Sequence, residues 1–398
     1  MTTWLLPEGI HESLPDEAEF LEAFRRQLID LYASWGYRLV NPPLVEYMES
    51  LRIGMGSGLD LQTVKITDQL TGRLMGVRAD MTPQVARIDA HRMKNDTIRN
   101  RPNRLCYIGT VLRTQATHQG GSRSPRQVGA ELFGHAGIES DFEVISLMLE
   151  TLKISGLDDV ILDIGHVGVA RGLADYIGLS CDEESLFFDM LARKSLPEIK
   201  QWLKQSQLSK SDADMLDALP RLNGSTDILE TAKSKLLNAG LVVISAIEYL
   251  QSLIECLEHD YPKLKINIDL AELRGYAYHT GIIYAVYTEG RGHSIASGGR
   301  YDGIGKAFDN DRPATGFSTD LHTLASLSSK TNKTQKKKKM ILAPSVQDED
   351  LDSLIEQLRG QGEAVVKQLS NNSNITPEQQ SCDRKIEKQG TQWLVVAI

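Results

Sequence analysis

Four stretches of this sequence place polar side chains at spacings that could build a ligand pocket. In the first, VRADMTPQ at 77–84, Asp80 and Thr82 alternate along the chain, so a carboxylate and a hydroxyl can point to one side. An ammonium group needs such partners when it leaves water. The structural alternative is that Asp80 or Thr82 caps a helix at 83–93, because proline, here Pro83, is common at the first helical position. The residues alone favour the cap.

The second stretch consists of two predicted strands, 104–113 and 127–136, joined by the loop 114–126. The first strand ends at Arg113. In the second strand Gln127 and Glu131 fall on one face, and the glycine between them leaves space. Polar side chains on an otherwise apolar strand are costly to bury unless they are paired. The sequence therefore allows two interpretations of Gln127 and Glu131: they line the wall of a pocket, or they lie on a solvent-facing strand edge.

The third stretch, LRGYAYHTGIIY at 273–284, combines Arg274 with Tyr278 and His279. Aromatic rings beside a guanidinium can line a pocket for a planar ring next to an anion. A lone histidine such as His279 is more often structural. The fourth stretch, SGGRYDGIGKAF at 297–308, is a glycine-rich turn by its spacing and matches neither GxGxxG nor a P-loop.

Hydrophobic periodicity predicts the elements that would carry these residues. It predicts amphipathic helices over 15–35 and 142–152. The β-branched and aromatic segments predict strands at 38–40, 104–113, 127–136 and 160–165, and a sheet segment at 266–288 that glycines interrupt at corners. Because these strands do not alternate regularly with helices, the predicted fold class is α+β with an antiparallel sheet, and a doubly wound dinucleotide fold is disfavoured.

The remaining segments predict the domain organisation. Leucine spacing over 168–261 predicts a helical insertion, and a further helix is predicted at 317–327. The polar segment 328–339 ends in four lysines and predicts a solvated linker. After it, strands at 340–344, 363–368 and 393–398 and helices at 348–361 and 377–388 predict a small C-terminal α/β domain. The predicted domains are therefore 1–327, including the insertion, and 340–398.

Composition narrows the classes of function. The chain has 398 residues, of which 41% are hydrophobic and 24% charged, as in an ordinary globular protein of two or three domains. Its net charge of -9 disfavours extensive binding to a nucleic-acid backbone. Its four cysteines are far apart with no CxxC pair, so we expect reduced thiols and no metal site. Because we find neither a secretion signal nor an apolar run of roughly 20 residues, we expect a cytoplasmic protein with no membrane partner.

In their order along the chain, the four stretches resemble the catalytic domain of histidyl-tRNA synthetase, a class II synthetase. LLPEGIHESLPDEA resembles the start of that family, WGYRLVNPPLVE its motif 1, LCYIGTVLR to GAELFG its motif 2, and GGRYDGI through ATGFSTDLHTL its motif 3. LRGYAYHTG is similar to its histidine-specific signature. The resemblance covers most of 1–327 and implies a class II synthetase-like antiparallel sheet flanked by helices.

The resemblance also implies a site for histidine. By position, Asp80 and Thr82 would contact the amino group, Glu131 the imidazole and Arg274 the carboxylate. The full set that the resemblance implies is Asp80, Thr82, Arg113, Gln127, Glu131, Arg274, Tyr278 and His279.

The chain departs from the synthetase pattern where ATP would be activated. Thr323 stands in place of the motif 3 arginine that grips the ATP phosphates, Gln115 in place of the motif 2 glutamate, and Ala277 in place of the signature aspartate. His279 replaces the second signature tyrosine. Loss of a charge-assisted contact of this kind commonly costs about 3–4 kcal/mol of transition-state stabilisation. We therefore expect no catalytic residues, no cofactor and negligible adenylation.

This chain combines an amino-acid pocket, no ATP site and a small C-terminal domain at 340–398. In this combination it looks like the regulatory subunits of ATP phosphoribosyltransferase. That resemblance implies a non-catalytic subunit of the first step of histidine biosynthesis. It would activate a short-form catalytic subunit, bind L-histidine for feedback inhibition and form a dimer through motif 1. It argues against a tRNA partner. Two alternatives stay open, a divergent histidyl-tRNA synthetase and a histidine sensor that acts on another partner.

Overall fold

The structure is a computed structural model that describes residues 5–52, 57–93, 101–118, 120–273, 275, 278–304, 312–328, 339–369 and 382–398. The chain divides into two compact units, Met1–Ser329 and Lys330–Ile398. Most of the predicted linker, 328–339, lies outside the described residues.

The first unit contains both helices and strands. Its helices are α1 (Pro15–Ser34), α2 (Met48–Arg52), α3 (Ser57–Gln62), α4 (Thr82–Arg87), α5 (Ile138–Ile154), α6 (Val167–Ile177), α7 (Cys181–Ala192), α8 (Leu196–Gln205), α9 (Lys210–Ala218), α10 (Ile228–Lys235), α11 (Leu241–Asp260) and α12 (Leu321–Leu327). Its strands are β1 (Arg38–Leu39), β2 (Val45–Tyr47), β3 (Val64–Thr67), β4 (Leu74–Val77), β5 (Asn103–Thr110), β6 (Arg126–Phe133), β7 (Ile161–His166), β8 (Asn223–Gly224), β9 (Lys265–Asp269), β10 (Ile282–Tyr287), β11 (Ala296–Arg300) and β12 (Ala314–Asp320).

A nine-stranded sheet, in the order β1-β5-β6-β12-β11-β10-β7-β9-β8, organises this unit. Its pairs are antiparallel except β1 with β5 and β7 with β9. A smaller antiparallel sheet has the order β2-β4-β3. The large sheet flanked by helices confirms the predicted α+β class.

Strand β6 has one apolar face and one polar face. Val128, Ala130 and Leu132 join the core cluster to which α1 and α5 contribute. Side chains alternate along a strand, so Gln127 and Glu131 face away from this core. The helical face of the sheet is therefore apolar, and its opposite face carries the polar groups of the site.

Helices α6 to α11 occupy the segment that the sequence predicts as an insertion. Helix α11 packs closely on α6 at Gly172, where an added Cβ would lie 3.0 Å from Cγ1 of Val242 and 3.1 Å from Cγ2 of Val243. A larger residue would push the two helices apart, since packed interiors have little room for an extra methyl group.

The second unit has four strands, β13 (Met340–Ala343), β14 (Val365–Lys367), β15 (Cys382–Gln389) and β16 (Gln392–Ala397), and the helix α13 (Glu349–Gly360). The sheet order is β14-β13-β15-β16, with β15 and β16 antiparallel and the other pairs parallel. Ile341, Leu351, Ile355 and Ile386 form its core.

The predicted sheet segment 266–288 contains two strands, β9 and β10, and the signature segment between them turns at Gly275, whose φ is 67°. Two other secondary-structure predictions for the first unit are wrong. The glycine-rich stretch at 297 is part of strand β11 and not a turn. The helix predicted at 317–327 begins at Leu321, since Asp320 accepts a hydrogen bond from the Thr323 N–H and so caps it.

One prediction for the second unit is also wrong. Residues 382–388 of the helix predicted at 377–388 lie in β15, and 377–381 lie outside the described residues. The strand forms a hairpin with β16 through Gly390, whose φ is 63°, and places Ile386 in the core. Tertiary packing therefore outweighs the helical pattern here.

Candidate functional site

A cavity of about 280 Å³ lies on the polar face of the central sheet. Its walls come from β10, β11 and β12, the Glu131 side chain of β6, the start of α4 and the signature segment around Tyr278. Five of the residues predicted from the sequence line it together, namely Asp80, Thr82, Glu131, Tyr278 and His279.

Glu131 forms the most enclosed part of this site. Its side chain is buried, and its Oε1 accepts hydrogen bonds from the Tyr107 hydroxyl at 2.9 Å and the Thr82 hydroxyl at 3.0 Å. Its Oε2 accepts one from the hydroxyl of Tyr301. Burial raises the pKa of Glu131 to about 8, although these three hydrogen bonds act in the opposite direction. The solvent-facing alternative for Glu131 and Gln127 is wrong, since they are 1% and 4% exposed.

Asp80 contacts the start of α4, although the N-cap position belongs to Met81 and not to Asp80 or Thr82. Its Oδ1 accepts the backbone N–H of Thr82 at 2.9 Å, at the first residue of α4, and also the side-chain amide of Gln127 at 2.9 Å. The carboxylate also lines the cavity. Gln127 accepts the backbone N–H of Met81 at 2.9 Å, which fixes the orientation of its amide. The helix start therefore holds Asp80 in place, and an ammonium group in the cavity can still reach it.

Aromatic rings form another wall. Tyr278 stacks on Tyr301, with ring centroids 5.0 Å apart and planes at 20°. The Tyr278 hydroxyl and Nδ1 of His279 are buried and have no hydrogen-bond partner among the described residues. Burial lowers the pKa of His279 to about 4, so its ring is neutral at physiological pH. Buried polar groups are seldom left without a partner, so these two atoms are candidates for contact with a bound molecule.

A second, larger cavity of about 670 Å³ adjoins the first. Arg113 and Gln127 line it, and Asp80 lines both cavities. The Arg113 Nε donates to the carbonyl oxygen of Ala79 at 3.2 Å. Arg274, the remaining predicted site residue, lies outside the described residues, as does Ala277.

Tyr107 and Tyr301 also contact Glu131 and were not predicted as site residues. Tyr107 lies opposite Gly129 in the β5–β6 pair, and its ring occupies the space that this glycine leaves. The sequence predicted the space at Gly129 but not that the Tyr107 ring fills it. Tyr301 lies in the glycine-rich stretch at 297–308, which was predicted only as a turn.

The neighbour of Tyr301, Arg300, is buried and holds this strand end in place. Its Nε donates to Asp141 at 3.0 Å, and its Nη2 donates to the Ser140 hydroxyl at 2.8 Å. Asp141 also accepts the Tyr249 hydroxyl at 2.5 Å. Arg300 therefore anchors the strand end to α5 and α11 and does not line the cavity.

The larger cavity also contains the position where the synthetase pattern has its phosphate-binding arginine. Thr323 lines it, and its hydroxyl donates to Asp320 at 2.9 Å as part of the α12 cap. A neutral hydroxyl already engaged in a cap cannot replace a guanidinium on polyphosphate. Among the described residues no group of three or more histidine, cysteine, aspartate or glutamate side chains could hold a metal ion. In the same part of the chain we find no helix with the length and apolarity needed to span a membrane.

Comparison with known proteins shows the family of this chain. The histidyl-tRNA synthetase family model matches residues 9–324, and that of the ATP phosphoribosyltransferase subunit HisZ C-terminal domain matches residues 338–396. An ATP phosphoribosyltransferase regulatory subunit from Thioalkalivibrio sulfidiphilus is 50% identical over 393 residues, covering 98% of each chain.

Two solved structures are also similar. A protein from Bacillus halodurans described as an ATP phosphoribosyltransferase regulatory subunit/histidyl-tRNA synthetase has a TM-score of 0.81 at 28% identity, over 94% of this chain and 95% of its own. A chain of the ATP phosphoribosyl transferase (HisG:HisZ) complex from Thermotoga maritima shares the fold, with a TM-score of 0.57 at 20% identity. The match covers 75% of this chain and 96% of that chain. With 50% identity along nearly its whole length, the chain belongs to the family of ATP phosphoribosyltransferase regulatory subunits, as its resemblance to them implied.

Proposed function

We propose that this regulatory subunit binds L-histidine in the 280 Å³ cavity and transmits its occupancy to a catalytic subunit of ATP phosphoribosyltransferase. The observation that supports this most directly is Glu131, a buried carboxyl group that lines the cavity and accepts hydrogen bonds from three hydroxyl groups. An imidazole N–H can donate to this carboxyl group, and the tyrosine pair can contact the flat ring.

The rest of the amino acid fits the cavity in one orientation. With the ring at Glu131, the ammonium group lies near Asp80 and Thr82, where a carboxylate and a hydroxyl can replace its water. The carboxylate then points towards the side lined by Arg113. Arg274 is proposed as a further partner of the carboxylate, on the basis of the family resemblance alone.

Calorimetric titration of the whole chain with L-histidine tests the site. We expect one histidine per chain and no binding of L-phenylalanine, whose ring has no N–H to give to Glu131. The variants Glu131→Ala and Asp80→Ala should each lose roughly 30-fold to several thousand-fold in affinity, since each removes one member of a desolvated polar pair.

Glu143→Ala is the matched control for these variants. It also removes a partly buried carboxylate, but one that pairs with Arg104 at 2.6 Å and does not line the cavity. Wild-type affinity for histidine in both Glu131→Ala and Asp80→Ala would show that histidine does not occupy this cavity.

The proposed partner is a short-form catalytic subunit. The name of the Thermotoga maritima complex joins a HisG chain to a HisZ chain, and the HisZ C-terminal family model matches residues 338–396 here. We expect this chain to co-purify with such a subunit and to raise its activity. A catalytic subunit that is equally active without this chain would contradict the activating role.

We propose also that the chain forms a dimer through the region around β1 and β2. Leu39 and Leu44, which flank the proline pair in that region, are 47% and 49% exposed. Exposed apolar side chains are typical of protein interfaces when they form a patch. Sedimentation analysis should show a dimer for the wild type and a monomer for the double variant Leu39→Asp, Leu44→Asp. A wild-type monomer at micromolar concentration would exclude this interface.

A further inference from the structure

The two cavities of the site share one wall of small side chains. Ser294, Ser297 and Ser318 line both cavities, as does Asp80. Ser297 and Ser318 lie directly opposite each other in the β11–β12 pair. Ser297 is exposed, although the strand around it is largely buried. Among the described residues, the side chains that line both cavities are therefore these three serines and Asp80, and none of them is bulky.

The position of the proposed ligand relative to this boundary follows from the polar groups. Glu131 lines only the smaller cavity, Arg113 and Gln127 line only the larger one, and Asp80 lines both. A histidine with its ring at Glu131 and its ammonium group at Asp80 has its α-carbon at the boundary. Its carboxyl carbon then faces the larger cavity. This orientation rests on the proposed function.

We propose that the site also accepts histidine derivatives extended at the carboxyl carbon, namely amides and short peptides that begin with histidine. The extension lies in the 670 Å³ cavity, whose size is within the range of about 300–1,000 Å³ typical of small-molecule sites. The serine hydroxyls of the shared wall can donate to a peptide carbonyl or accept its N–H.

The amino side of the site does not allow the same extension. Asp80 is held there by the Thr82 N–H and the Gln127 amide. An acylated histidine nitrogen has no positive charge to offer this carboxylate, and it would leave a desolvated charge without its partner. Peptides that end in histidine are therefore excluded, and the position of histidine in a peptide decides whether it binds.

Competition calorimetry on the wild-type chain with histidine, histidinamide, His-Gly and Gly-His tests this inference. We expect His-Gly and histidinamide to displace histidine with affinities roughly 10- to 150-fold weaker, because they lose the charge on the carboxylate. Gly-His should not compete. If histidine binds but His-Gly fails to compete at about a thousand times the Kd of histidine, the inference is overturned and the proposed histidine site stands. Equal competition by His-Gly and Gly-His also overturns it, and if histidine itself does not bind, the proposed function fails first.

A substitution in the wall shared by the two cavities tests whether the carboxyl-side extension of the ligand lies in the larger cavity. Ser297→Phe should weaken His-Gly at least about tenfold more than it weakens histidine, because the larger ring closes the passage between the cavities. Ser297→Ala, the matched control, should leave the ratio of the two affinities unchanged. An unchanged ratio in a folded Ser297→Phe protein would mean that the extension leaves the site by another route, and would overturn its placement in the larger cavity.

Discussion

Gly316 lies directly opposite Glu131 in the β6–β12 pair, and a Cβ added to this glycine would overlap Oε2 of the Glu131 carboxylate. The same Cβ would lie 2.9 Å from the carbonyl oxygen of Ala130. The absence of a side chain at position 316 therefore leaves the space that the buried Glu131 carboxylate occupies.

We expect Gly316→Ala to weaken histidine binding by more than about tenfold and to destabilise the chain by roughly 1–3 kcal/mol, because the methyl group displaces Glu131 or the strand. Calorimetry and thermal unfolding measure the two effects. Gly303→Ala is the control, since the atom nearest to its added Cβ is 4.0 Å away. Unchanged binding in Gly316→Ala would show that the position of Glu131 does not matter for histidine.

The carboxyl group of Glu131 should make the stability of the unliganded chain depend on pH. Burial raises its pKa from an ordinary 4.5 to about 8, so the folded chain holds this proton more tightly than the unfolded chain does. The stability that the proton contributes is complete below about pH 4.5 and is lost as the pH rises through about 8. Relative to Glu131→Gln, the wild-type free energy of unfolding should fall by about 1.4 kcal/mol per pH unit across that window. Parallel curves for the two proteins in denaturant titrations would contradict this.

A buried ion pair behind the site should contribute strongly to stability. Nη1 of Arg312 donates to both carboxylate oxygens of Asp89 at 3.0 Å, and Asn103 donates to the same carboxylate at 2.7 Å. Arg312→Met leaves this carboxylate without its charge partner and should destabilise the chain by about 3–5 kcal/mol in chemical denaturation. Arg193→Ala breaks two exposed pairs, with Asp189 and Glu198, and should cost less than about 1 kcal/mol. Similar losses in both variants would refute this difference.

The chain should not make histidyl-adenylate. Thr323, at the position of the synthetase arginine, is neutral and hydrogen-bonded to Asp320. Without a guanidinium the polyphosphate of ATP loses a charge-assisted partner. Histidine-dependent exchange of pyrophosphate into ATP should stay at background, with a histidyl-tRNA synthetase as the positive control. Exchange at a rate typical of that enzyme would return the divergent synthetase alternative to first place.

If histidine inhibits the assembled enzyme through this subunit, the coupling must act in both directions. Saturating the catalytic subunit with its substrates should weaken histidine binding by the same factor that histidine weakens substrate binding, typically about 5- to 150-fold. Titrations of the assembly with and without substrates measure this factor. If Glu131→Ala leaves inhibition by histidine unchanged in the assembly, the inhibitory site lies on the catalytic chain.

The sequence alone identified the family and most of the candidate site, because both depend on residue types in a fixed order. Alternation along a strand or turn showed that Asp80 and Thr82, and likewise Gln127 and Glu131, could share a face. The resemblance to the synthetase family selected them as a ligand site, because the residues alone left a helix cap and a solvent-facing strand edge open. The same alternation separated Glu131 from the apolar residues beside it on β6.

Only the tertiary structure decided which side chains meet from different strands. Tyr107 fills the space over Gly129, Tyr301 reaches Glu131 from the position directly after β11, and Gly316 makes room for its carboxylate. Periodicity within one strand contains no information on the register between strands that are far apart in sequence, and register determines these contacts. The division of the site into two connected cavities follows from that register, and for this reason the sequence could indicate the pocket but not its shape.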